Sequence, residues 1–159
     1  MSSATRSQHE GVCVSQLVIS YGSTKAVDHV SFHALPGRVT VILGPNGAGK
    51  TSTIEACEGF TTATSGTIRV LGLDPSTQRK ELNQRMGVML QDGGIYPSSR
   101  VGELVAQYCA LYGNKVDAAS LIAQVGLASV SGTTYRRLSG GEKQRLSLAL
   151  ALAAQPDVI

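Results

Sequence analysis

The chain has 159 residues, one domain's worth or most of one. Apolar residues make up 42% and charged residues only 16%, against roughly a quarter in an average protein, which excludes a disordered chain. A net charge of +3, with nothing more basic than the pairs Arg79-Lys80 and Arg136-Arg137, argues against nucleic acid as a partner.

Residues 1–10 read as a flexible polar tail without the apolar core of a signal peptide. Val12, Val14, Leu17 and Ile19 mark a strand that ends at Tyr21-Gly22, and a second, less cleanly alternating strand covers 27–34 before the turn Leu35-Pro36-Gly37. The β-branched run 39–43 predicts a short strand buried on both faces. It leads into Gly44-Pro45-Asn46-Gly47-Ala48-Gly49-Lys50-Thr51, and a helix is expected from 50 to about 58. Further strands are expected at 66–71 and 86–90, the latter ending at Gln91. The period then becomes helical. Val101, Leu104, Val105, Tyr108, Leu111 and Tyr112 define one helix; 116–125 defines a shorter one, with Gly126 as its C-terminal stop. The longest apolar stretch, 146–154, is interrupted by Ser147 and is far shorter than the ~20 residues of a membrane span.

Cys13, Cys57 and Cys109 are widely spaced and form no zinc pattern; they read as reduced thiols, mostly in the core. His9, His29 and His33 read as surface or satisfied histidines.

The glycine loop carries the clearest chemistry. Gly44, Gly47 and Gly49 let the main chain turn tightly and present amides to an anion. The following helix adds free donors and the positive end of its dipole. Lys50 can reach the β- and γ-phosphates of a nucleotide, and the Thr51 hydroxyl suits Mg²⁺. Near the C-terminus, Leu138-Ser139-Gly140-Gly141-Glu142-Lys143-Gln144 has the Ser-x-x-Glu form of a capping box, opening a helix through Leu146, Leu150 and Ala154. A cap alone does not need two glycines, each of which weakens a helix interior by about 1 kcal/mol. They fit a helix tip that another group approaches closely.

Both motifs resemble those of ATP-binding subunits of ABC transporters, 44–51 that family's P-loop and 138–144 its signature, and the resemblance runs from Val12 onward. It implies an α/β fold: a P-loop NTPase core with a mostly parallel sheet, an N-terminal antiparallel β part and an inserted small helical subdomain at about 92–137. It implies ATP and Mg²⁺ as cofactors. ATP would be held by Tyr21, by Gly44, Pro45, Asn46, Gly47, Ala48, Gly49, Lys50, Thr51 and Ser52, and by Gln91; Thr51 and Gln91 would serve the metal. A strand-end aromatic at Tyr21 and an ordinary loop amide at Gln91 are the alternatives, and the resemblance favours the adenine-stacking and Q-loop roles over them. Ser139, Gly140, Gly141 and Gln144 would contact the nucleotide of a second ATP-binding subunit in a head-to-tail dimer. Lys50 and Gln91 would support catalysis.

The resemblance also places a catalytic Asp-Glu pair beyond Ile159, so 11–159 is expected to be a domain incomplete at its C-terminus and nearly inactive alone, a fragment of a longer subunit. Asp157 precedes the apolar run rather than following it and is not that acid. Stretches 54–59 and 64–75 look like bacterial daunorubicin-type multidrug or antibiotic exporters, which implies a separate membrane-embedded permease and a place on the cytoplasmic face of the cell membrane. The alternative is a non-transport ABC ATPase of the DNA-repair or translation class. A long coiled-coil insertion, which would mark chromosome-type members, is not seen between Gln91 and Leu138.

Overall fold

The computed structural model describes residues 11–89 and 94–159. The expected tail at 1–10 and Gln91 lie outside the described residues. The chain divides into two compact units, Met1–Asn83 and Gln84–Ile159.

The N-terminal unit is built on an antiparallel sheet. Strand β1 (Val12–Tyr21) lies between β2 (Thr24–Ala34) and β3 (Ser65–Val70). β1 and β2 form a hairpin over the two residues Gly22-Ser23, with Gly22 at φ +60°. The uneven alternation in the second strand has a physical cause. Two residues of β1 oppose one of β2 between Val14 and Leu17, and the imbalance reverses before Ile19 pairs with Val27. Such bulges flip the facing of every later side chain. Gln16 and His29, at the bulges, both take φ +50°, and the Gln16 amide donates to Ser31 Oγ at 2.8 Å. Val14, Leu17, Val18, Ile19, Val27, Ile68 and Val70 are buried. Helix α1 (Lys50–Cys57) contributes Thr53, Ala56 and Cys57 to the interior. A single turn, α2 (Arg79–Leu82), was not anticipated from the sequence; it follows a turn in which Asp74 Oδ1 accepts from the Ser76 amide at 2.9 Å.

The run 39–43 departs from expectation. It is not a strand, and Val39, Val41 and Leu43 are 93%, 67% and 87% exposed. A buried strand needs a ladder on both sides, and among the described residues this run pairs with none.

The C-terminal unit is helical. It contains α3 (Val101–Leu111), α4 (Ala118–Gln124) and α5 (Gly140–Leu152), with one-turn 3₁₀ segments at Ala128–Val130 and Tyr135–Arg137. Helix α4 is capped by Asp117, whose carboxylate accepts from the Ser120 amide at 2.8 Å. Gly126 ends it at φ +70°, as the sequence predicts. Helix α3 has no side-chain cap; its Val101 and Gly102 amides donate to the Thr133 and Ser131 carbonyls. The core joins Val101, Val105 and Cys109 of α3 to Leu121 and Ile122 of α4 and Leu146 and Ala149 of α5. Of the strand expected at 86–90, the described residues show one parallel bridge, Met86 with Val158, where the Gly87 amide donates to the Val158 carbonyl at 2.8 Å.

Candidate functional site

Residues 44–51 form a tight glycine-rich turn by local geometry. Gly47 and Gly49 take φ +82° and +79°, conformations that a side chain disfavours. Gly49 is fixed a second way: a Cβ there would lie 2.2 Å from the Ala26 carbonyl oxygen of β2. The loop is thus pressed against the sheet, and only glycine allows it. This contact has no signal in the sequence, because Ala26 is distant along the chain and acts through its main chain.

Gly49 is also the N-cap of α1, yet it offers no side chain to the first-turn amides, and no acidic residue stands in that turn. The leading donors of α1, at Lys50, Thr51 and Ser52, have no carbonyl four residues back within the helix. The electrostatics of this end are therefore uncompensated and positive. Lys50 adds its ammonium, which donates to the Gly44 carbonyl at 2.8 Å and the Pro45 carbonyl at 2.6 Å, folding back over the loop. Both partners are neutral oxygens, which a phosphate oxygen outcompetes through its charge. Thr51 is exposed, while the next threonine, Thr53, is buried and donates to the Gly49 carbonyl at 2.8 Å. Thr53 thus closes the turn, while the Thr51 hydroxyl stays on the surface.

Tyr21 ends β1 close to this helix start, its hydroxyl 3.5 Å from Ser52 Oγ. Tyr21 is 52% exposed. Tyr21, Ser52 and the loop are thus brought together by one unit. The residues present fit a nucleoside triphosphate with Mg²⁺: an uncapped helix tip, left-handed glycines, a lysine and an exposed threonine hydroxyl.

In the C-terminal unit, α5 starts differently. Its capping box is complete: Ser139 Oγ accepts from the Glu142 amide at 3.3 Å, and the Ser139 amide donates to Glu142 Oε2 at 2.7 Å. The serine hydroxyl also donates to that carboxylate at 2.7 Å, and these Ser139 bonds hold the Glu142 carboxyl below its ordinary range. Gly140 and Gly141 remain unexplained by this cap. Among the described residues, a Cβ on Gly140 would meet nothing within 4 Å, and one on Gly141 only the Arg145 guanidinium at 3.7 Å. Neither takes a positive φ. Lys143 lies 5.1 Å from the Tyr135 ring centroid, a cation–π contact that the sequence reading missed. Asp157 is engaged by Arg85 Nε at 2.7 Å.

Residues 27–159 match the model of the family described as "ABC transporter". The chain belongs to the ABC transporter family. It is 37% identical over 147 residues to Nod factor export ATP-binding protein I of Paraburkholderia xenovorans (strain LB400), covering 88% of this chain and 48% of that protein. It is 35% identical over 144 residues to hemin import ATP-binding protein HmuV of Rhizobium meliloti (strain 1021), covering 87% and 55%. The chain thus spans about half the length of these curated relatives. Its fold is similar to that of cbiO1 from Clostridium perfringens, part of the ABC transporter complex cbiONQ, with a TM-score of 0.80 at 24% identity, over 93% of this chain and 63% of the other. The α/β fold class expected from the sequence is therefore the family's, but among the described residues the sheet is antiparallel rather than mostly parallel, because the run 39–43 pairs with no strand and Met86 with Val158 is the one parallel bridge. Among the described residues, no helix is long and apolar enough to cross a membrane.

Proposed function

We propose that this ABC transporter chain is the ATP-binding portion of an exporter's ATPase subunit, acting with a separate membrane permease on drug-like or antibiotic compounds. The observation that carries ATP binding is the uncapped start of α1 behind the left-handed Gly47 and Gly49. In this reading the amides of 46–52 take the phosphates, and Lys50 turns from the Gly44 and Pro45 carbonyls to the γ-phosphate. Thr51 and Gln91 hold Mg²⁺, and Tyr21 stacks on the base. Bound Mg²⁺ neutralises charge on the β- and γ-phosphates.

Gly140 and Gly141 support the second half of the proposal. No contact among the described residues explains them, which suits a surface kept bare for an opposing molecule. Ser139, Gly140, Gly141 and Gln144 would then cover the γ-phosphate held by a second ATP-binding subunit. The helical region 92–137 would meet the permease on the cytoplasmic face of the membrane, and closure of the nucleotide sandwich would be passed on as movement. Hydrolysis needs a group that positions water. After the signature the 159 residues offer one acid, Asp157, paired with Arg85, while Glu142, inside the signature, is held in the capping box. By themselves they are expected to bind ATP but release phosphate far below the ~1 s⁻¹ floor of typical enzymes.

Titration calorimetry with ATP and Mg²⁺ tests the site. Lys50→Ala should weaken binding at least tenfold, about 1.4 kcal/mol; equal affinity in parent and variant would remove the assignment. Direction of transport is tested by expressing the full subunit with its permease and following compound efflux against uptake. Uptake alone would replace export by import, the activity named for HmuV.

A further inference from the structure

Away from the glycine loop, the sheet joins a nucleophile to a base. β1 sets Cys13 between two cross-strand neighbours, His33 on β2 and Arg69 on β3. Residues directly opposite in an antiparallel ladder share a face and lie within side-chain reach. On one flank the contact is made, with Cys13 Sγ 3.0 Å from His33 Nε2. On the other flank the Arg69 guanidinium is paired with Asp74 at 3.3 Å. Cys13 is half-buried and His33 exposed, so a small reagent can reach the sulfur.

The other two cysteines are a built-in contrast. Burial, with the Glu58 carboxylate adding to it, pushes the Cys57 thiol up to about 11. Burial, with Asp117 adding to it, also raises Cys109. Both are buried, protonated at neutral pH and inert by the ordinary rules of thiol chemistry.

We propose that Cys13 is a reactive thiol, with His33 as its proton acceptor, that forms mixed disulfides with small disulfides. The Sγ proton passes to His33 Nε2, and the thiolate attacks one sulfur of the disulfide. A Cys13–sulfur bond forms as the original S–S bond breaks. The other half leaves as a thiolate and takes a proton from the imidazolium. One thiol is consumed and one released, so no further oxidant is required. β1 carries Cys13 roughly 25 Å along the sheet from Tyr21, at about 3.3 Å per residue. The adduct therefore leaves nucleotide binding unchanged, and this proposal stands or falls separately from the previous one.

The test is exposure of the folded 159-residue chain to oxidised glutathione, followed by intact mass and peptide mapping. The first glutathionyl group is expected on Cys13, with Cys57 and Cys109 reacting only after denaturation. His33→Ala uncovers the sulfur, so exposure alone would speed the reaction. Loss of the base should instead slow it roughly fivefold or more. His33→Gln, which keeps bulk without the base, should be slow as well, with circular dichroism and the thermal midpoint verifying the fold of both variants. Reaction of either folded variant at the parent rate or faster, or earlier reaction of Cys57 or Cys109, would overturn the proposal.

Discussion

Gly47 and Gly49 sit two residues apart in one loop, share a left-handed φ, and differ in what surrounds them. A methyl group on Gly47 meets open space, whereas one on Gly49 meets the Ala26 carbonyl oxygen and Val27 Cγ2 at 2.2 and 2.9 Å. Gly47→Ala should therefore cost only the left-handed strain, about 1 kcal/mol. Gly49→Ala must also move main chain, and should cost at least about 2 kcal/mol. Urea unfolding of the two variants checks the order; equal losses would mean that the loop is not braced on β2. The motif pattern marks both glycines alike. Only their neighbours tell them apart, and those neighbours come from β2.

Among the elements, α1 and α5 treat their N-termini in opposite ways. α1 leaves its first donors uncapped, and α5 satisfies two of its own, the Ser139 and Glu142 amides, through the capping box. Ser139→Ala should destabilise the C-terminal unit by about 1 kcal/mol. The effect has a defined pH dependence. The Glu142 carboxyl is depressed by its bonds from Ser139, so its contribution is present above the ordinary glutamate value of 4.5 and fades as pH falls through the lower folded value. The difference in thermal midpoint between parent and Ser139→Ala should therefore shrink when pH drops from neutrality to about 3.5. A constant gap would assign the loss to the serine's helix propensity alone. Leu146, fully buried on the same helix, tests packing rather than capping: Leu146→Ala should cost about 2–5 kcal/mol, read from denaturant midpoints. Both the box and the 3.6-residue spacing of α3 were legible because each depends on residues a turn apart. The bulges at Gln16 and His29 were not, because register is decided by the partner strand.

For the whole molecule, the exposed run 39–43 is the conspicuous liability. Val39, Val41 and Leu43 form an apolar segment without a ladder among the described residues, a template for pairing with other chains. Val39→Lys with Val41→Lys should raise the concentration at which the 159-residue chain stays monodisperse in light scattering, with little change in thermal midpoint. A large fall in midpoint would mean that these side chains are packed. The sequence by itself determined the family, the glycine loop with Lys50 and Thr51, the signature helix and its cap, and most helix limits. These rest on local geometry, which a few consecutive residues dictate. Tertiary structure alone decided that 39–43 forms no ladder, that Gly49 braces on Ala26, that Gly140 and Gly141 answer to no contact among the described residues, and that His33 lies against Cys13. Each of these depends on which distant segment lies alongside, and hydrogen bonding and close packing are satisfied only between segments that the fold has already brought together.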